Sequence, residues 1–111
     1  MKIYVNELEN YIDKEITFSW FIDAIRDKKW VMFVILRDST GKVQMTIEKS
    51  EESNQKLLDI MANTTVESTI RLNCKVVENE AVKLGGLELI PTKIEITSKA
   101  EPLPFDFNNL D

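Results

Sequence analysis

The sequence predicts an all-β protein with one helix, closed as a small barrel. Two observations carry this. Five strand-length segments with alternating or continuous apolar patterning are separated by compact turns, and helical spacing interrupts them once, between the third and fourth. With 111 residues there is room for one domain with a single modest core.

The first fifteen residues mix Tyr4, Val5, Leu8, Tyr11 and Ile12 with polar side chains, and Asn6 is placed to cap a short helix running to about Ile12. Ile16, Phe18, Trp20 and Ile22 then alternate with Thr17, Ser19 and Asp23, the pattern of a half-buried strand. A tight turn at Asp27-Lys28-Lys29 leads into a continuous apolar run from Trp30 to Leu36. Asp38-Ser39-Thr40-Gly41 is the clearest turn signal in the chain. Beyond it, Val43, Met45 and Ile47 alternate with Gln44, Thr46 and Glu48. Ser50 to Ala62 switches period: Leu57, Leu58 and Met61 fall at helical spacing, after Glu51 and Glu52 in the expected first turn. Two further strands are expected at about 67–77 and 87–97, the second interrupted by Pro91, which implies an edge or a bulge. Pro102-Leu103-Pro104 reads as an extended exit peptide.

Strands and helix in the order β-β-β-α-β-β are the pattern of an OB-fold, a five-stranded Greek-key barrel with a helix between strands 3 and 4. The expected domain covers residues 1–104, and residues 105–111 form an extended tail. Strands 2 and 3 with their loops make the usual binding face of that fold.

Composition narrows the function classes. The 43% apolar and 30% charged content is that of an ordinary soluble globular protein. No apolar run is long enough to span a bilayer and the first residues lack a signal peptide's apolar stretch, so a cytoplasmic location without membrane association is expected. The single cysteine, Cys74, cannot close an internal disulfide, and its neighbours Leu72 and Val76 suggest a core position on a strand. There is no histidine, the commonest general acid–base and metal ligand, and no second cysteine for a zinc site. Gly85-Gly86 lacks the Gly-Lys-Ser/Thr continuation of a phosphate loop. No catalysis, metal or cofactor is therefore expected.

The net charge of −5 argues at first against a nucleic-acid partner, but its distribution does not. From Ala24 to Gln44, the five bases Arg26, Lys28, Lys29, Arg37 and Lys42 face two acids, Asp27 and Asp38. The same stretch joins a cation, an apolar strand and a side-chain amide. Phe33 is the candidate stacking platform for a base, Gln44 offers a donor and an acceptor to a pairing edge, and Arg26 offers paired hydrogen bonds to base or phosphate. Parity places Gln44 opposite the core-facing side of its strand. For the preceding strand parity decides nothing, because both faces are apolar: with Met32, Val34 and Leu36 inward, Val31, Phe33 and Ile35 lie outward beside Gln44. Each residue also has a plain reading, Phe33 as core, Gln44 as polar strand face and Arg26 as an ion-pair partner of Asp23 or Asp27. Trp30, at the start of its strand, is expected to pack, and Arg37-Asp38 to fix the following turn.

At these residues the chain resembles a family. Ile-Arg-Asp at 25–27, Phe-Val-Ile-Leu-Arg-Asp at 33–38 and Gly-Lys-Val-Gln at 41–44 are similar to the N-terminal anticodon-binding domain of aspartyl- and asparaginyl-tRNA synthetases. The similarity resumes at Gly85-Gly86-Leu87-Glu88-Leu89 and at Lys99-Ala100-Glu101-Pro102-Leu103-Pro104. The resemblance implies that Arg26, Phe33 and Gln44 hold the central uridine of an anticodon, with Phe33 stacked on it. It also implies that Glu88 contacts the neighbouring wobble base. Trp20-Phe21 stands where the family usually has Gly-Trp, and the loop before Gly85 is short. No adenylate-forming domain or ATP-binding motif lies within these residues, so the chain is expected not to charge tRNA by itself, as an excised domain or a free-standing relative.

The expected function is a tRNA anticodon-binding module, with a tRNA anticodon loop or another single-stranded nucleic acid as partner and room for a homodimer. The alternatives are an OB-fold protein for a different single-stranded ligand, or a barrel that docks a protein through its apolar outer face.

Overall fold

The computed structural model describes residues 3–98. Five strands, β1 (Glu15–Asp27), β2 (Val31–Asp38), β3 (Gly41–Glu48), β4 (Thr69–Glu78) and β5 (Leu87–Ser98), close into a barrel in the order β1-β2-β3-β5-β4. One α-helix, α1 (Gln55–Ala62), lies between β3 and β4. The predicted OB architecture is the one observed. The predicted exit peptide and tail fall outside the described residues.

Alternation builds the core. Ile16, Phe18, Trp20 and Ile22 of β1, Met32, Val34 and Leu36 of β2, and Val43, Met45 and Ile47 of β3 all point inward. They meet Ile70, Leu72, Cys74 and Val76 of β4 and Leu89 and Ile94 of β5. Leu57 and Met61 of α1 and Leu8 of an N-terminal 3-10 helix (Val5–Tyr11) join the same cluster. Trp20 is only 2% exposed, and its indole N–H donates to the Ile3 carbonyl at 3.3 Å, which satisfies its one polar atom. Cys74 is fully buried as expected, and burial pushes its thiol pKa up to about 12.

β1 is long because it pairs twice. Residues 15–21 run antiparallel to β4, and residues 21–27 run antiparallel to β2. All other contacts between neighbouring strands are antiparallel except β3 with β5, a short parallel pairing of Gln44 with Glu88 and Met45 with Leu89. A closed barrel has no free edge, so Pro91 sits at a bulge: the β4–β5 register slips where Asn73 faces Lys93 and Cys74 faces Pro91.

Expectations change at the start of both helices. Asn6 does not cap the N-terminal helix, which is 3-10 and begins at Val5. Its free N–H groups are satisfied from far away in sequence: Val5 donates to Asp38 Oδ2 at 2.8 Å and Asn6 donates to Thr40 Oγ1 at 3.1 Å. The helix expected from Ser50 begins instead as a single 3-10 turn, Glu52–Asn54, and becomes α-helical only at Gln55. Asn54 Nδ2 bonds the Glu48 carbonyl at 3.0 Å, which ties this turn to the end of β3.

Asp38 is the pin of the β2–β3 turn. Its Oδ1 accepts from the Thr40 N–H at 2.7 Å, the Thr40 hydroxyl at 2.6 Å and the Gly41 N–H at 3.2 Å. Burial alone would raise its pKa. The Thr40 hydroxyl and the backbone N–H groups of Val5, Thr40 and Gly41 outweigh that and hold the carboxyl below its ordinary value. Arg37 does not take part in this turn. It pairs with Asp23 at 3.0 Å and with Glu67 at 2.5 Å instead.

Candidate nucleic-acid interface

The outer face of β1, β2, β3 and β5 carries a continuous ladder of side chains. Arg26 faces Phe33, which faces Thr46; Ala24 faces Ile35, which faces Gln44, which faces Glu88. Arg26 reaches this face through a bulge. The register slips between Ile22 and Ala24, leaving Asp23 unpaired, so the strand switches phase after Ile22 and Ile25 packs inward. For β2 the open parity is resolved: Met32, Val34 and Leu36 fill the core, and Phe33 stands outward, half-buried.

Arg26, Phe33, Gln44 and Glu88 all line one groove of about 840 Å³. Trp30, Lys42 and Thr46 line it too, as does the β4–β5 loop through Asn79, Ala81, Val82, Lys83 and Leu84. Ile35 is buried on this outer face, where Val82 of the loop, itself buried, shares the groove. Gly85 and Gly86 end that loop with φ of 73° and 70°, a backbone conformation that suits glycine. The turn they make sends the chain into β5 at Leu87, one residue before Glu88.

A polar chain runs across the groove floor. Gln44 Nε2 donates to Thr46 Oγ1 at 3.3 Å, and the Thr46 hydroxyl donates to Glu88 Oε2 at 2.7 Å. Asn79 Nδ2 donates to Glu88 Oε1 at 3.2 Å. Glu88 is thus held at both oxygens. Thr46 and Asn79 were not singled out from sequence. Thr46 carries a signal there, as a small hydroxyl two residues from Gln44 on the same face; Asn79 carries none, because its place depends on the loop.

Charge is distributed less evenly than the sequence count implies. Arg37 is held by Asp23 and Glu67, Lys42 by Asp23 at 3.1 Å, and Lys49 by Asp27. The Lys42 hydrogen bond, reinforced by Arg37 against partial desolvation, keeps the Asp23 carboxyl below its ordinary pKa. Among the described residues Arg26 has no carboxylate partner, so neither Asp23 nor Asp27 takes it up. Among the described residues, the cations of this stretch without a carboxylate partner are therefore Arg26, Lys28 and Lys29, at the β1–β2 end. Trp30 does not pack as expected. It is 68% exposed at the groove rim, with Lys29 Nζ 5.1 Å from the ring centroid.

No cluster of metal-binding side chains occurs among the described residues, and no helix there is long and apolar enough to cross a membrane. The floor is made of hydrogen-bonding groups and a half-buried ring, which suits binding of a flat, polar-edged ligand.

Known proteins share this family and fold. Residues 16–97 match the family of OB-fold nucleic acid binding domains named for the tRNA anticodon. An aspartate–tRNA(Asp/Asn) ligase of Hydrogenobaculum is 34% identical over 107 residues, covering 91% of this chain and 18% of the ligase. The aspartyl-tRNA synthetase structure from Entamoeba histolytica superposes with a TM-score of 0.75 at 26% identity, covering 94% of this chain and 23% of that one. An OBody bound to hen egg-white lysozyme shares the fold at a TM-score of 0.81 and 23% identity, covering 95% of this chain and 96% of that one. The chain belongs to the tRNA anticodon family of OB-fold nucleic-acid-binding domains, and is a domain like those of the aspartyl- and asparaginyl-tRNA synthetases.

Proposed function

We propose that this chain reads a tRNA anticodon by taking unstacked bases into the outer groove. Phe33 stacks on the central base, Arg26 and Gln44 bond its edge, and Glu88 bonds the neighbouring wobble base. The observation that carries this reading is the convergence of four side chains, from residues 26 to 88, on one groove across four strands. A half-buried ring beside a guanidinium with no carboxylate partner among the described residues, and beside an amide, is the equipment for base capture rather than for core packing. The Asp/Asn specificity of the ligase relative favours a central uridine. Selecting tRNA for aspartate attachment in the cytoplasm is the role we assign to the module within a synthetase.

The partly exposed apolar pair Val31 and Phe33 supports a second reading, the docking of a protein partner, as the OBody bound to lysozyme docks one on the same fold. Titration of an anticodon stem-loop with central uridine, and one with central cytidine, separates the two. Anticodon reading requires preference for uridine and steep weakening with added salt. Equal binding of both stem-loops, or none of either, rejects it. A protein interface through the apolar face changes little with salt.

A further inference from the structure

The polar chain on the groove floor has a direction that its chemistry imposes. A carboxylate only accepts, a hydroxyl has one proton, and a side-chain amide has a donor end and an acceptor end. The Thr46 hydroxyl lies 2.7 Å from Glu88 Oε2, so its proton is committed to Glu88. Only lone pairs remain for Gln44, 3.3 Å away. The amide must meet them with Nε2, since Oε1 there would set two acceptors together with no proton between them. Gln44 therefore turns its Oε1 away from Thr46, and among the described residues no other group takes that oxygen up.

The far end of the chain is fixed as well. Asn79 donates through Nδ2 to Glu88 Oε1 at 3.2 Å, while its Oδ1 accepts from the Ala81 N–H at 3.0 Å. Its own N–H donates to the Gly86 carbonyl at 2.8 Å. Thr46 is buried although it lies on the outer face, so bulk water has little access to compete for its hydroxyl.

The geometry points to Thr46 as a positioning residue that sets which end of the Gln44 amide faces a bound base, and thereby the choice between uracil and cytosine. This rests on the base-reading role of Gln44. An outward acceptor meets the N3–H of uracil, a donor, and opposes the N3 of cytosine, an acceptor, in the same stacked pose. Arg26, a donor at every nitrogen, complements the uracil carbonyl oxygens that flank that N–H. Glu88 is the source of the polarity and Thr46 transmits it, so the sites for two neighbouring bases are coupled through one hydroxyl. With that hydroxyl removed, the Gln44 amide is free to turn over and present Nε2 to cytosine.

The test compares wild type, Thr46→Val and Thr46→Ser for binding of stem-loops with central uridine and central cytidine. Thr46→Val is expected to lower the uridine-to-cytidine affinity ratio about tenfold, the scale of one hydrogen bond, and Thr46→Ser to keep it within about twofold of wild type. In a Gln44→Ala background the Thr46 substitution is expected to leave the ratio unchanged. A folded Thr46→Val chain with the wild-type ratio overturns the inference, as does a Thr46 effect that persists without Gln44. Thr46→Ala replaces a Thr46→Val chain that fails to fold, with the same outcomes. A wild-type chain without preference overturns the base-reading role itself, and the inference with it.

Discussion

Arg26 on β1 and Phe33 on β2 are cross-strand partners on the outer face of the barrel, and the bulge at Asp23 makes them so. Ile16, Phe18, Trp20 and Ile22 face the core at every second position. Unbroken alternation would carry Arg26 inward four residues after Ile22. One extra residue reverses the phase and sets a cation beside the ring.

Deleting Asp23 is therefore expected to be far worse than truncating it. The deletion drives Arg26 toward the core phase, where an unpaired charge costs on the order of 3–5 kcal/mol. Asp23→Ala keeps the bulge and loses only partly exposed ion pairs to Arg37 and Lys42, a small change beside that of the deletion. Chemical denaturation of both chains measures the difference.

Phe33→Ala should separate binding from folding. The ring is outside the core cluster, so its loss is expected to weaken stem-loop binding by roughly 1–3 kcal/mol, the scale of a stacked base. Val34→Ala, one residue on and fully buried, should instead lower stability by about 1–3 kcal/mol. Paired binding isotherms and unfolding curves check both.

The two tryptophans should report independently. Trp20 is buried and Trp30 is exposed, so acrylamide is expected to quench one emission component and spare the other. Trp30→Phe should remove the accessible component and change stability by no more than about 0.5 kcal/mol. Stem-loop binding should shield Trp30, which lines the groove, and leave Trp20 unchanged.

Asp38 should give the fold an acid-sensitive contribution. Its folded pKa lies below the unfolded value of about 3.9, so the unfolded chain binds the proton more readily. The stability it supplies is complete above about pH 4 and is lost as pH falls through the folded pKa. Asp38→Ala removes hydrogen bonds to a charged acceptor and is expected to cost roughly 2–3 kcal/mol at pH 7. Between pH 4 and pH 2 the gap to wild type should narrow. Denaturant midpoints across that range decide it.

Much of the site was legible as chemistry before it was legible as geometry. Phe33, Gln44 and Arg26 stood out by residue type, and the parity of Val43, Met45 and Ile47 already turned Gln44 outward. Trp30 is at the rim and not in the core, a difference the sequence does not show, because an apolar residue at the head of an apolar run has no local mark that separates the two. Thr46 shows in the sequence only as a hydroxyl on the face of Gln44, and Asn79 not at all, because the partner they share, Glu88, sits 42 and 9 residues away. Local rules point to Asn6 as a cap, whereas the Val5 and Asn6 N–H groups are taken up by Asp38 and Thr40 across the barrel.

By itself the sequence determined the order of the elements, the core faces of β1, β3 and β4, and the burial of Cys74. These follow from periodicity, which records residue by residue which side of a strand meets water. Only the tertiary structure decided the outward turn of Arg26, the outer face of β2 and the meeting of Gln44 with Glu88. Those depend on strand register and barrel closure, set by hydrogen bonds between segments that no local pattern pairs. The basic stretch from Ala24 to Gln44 was plain in the sequence as a list of charges. Which of its cations stays free was settled by the carboxylates folded against the rest.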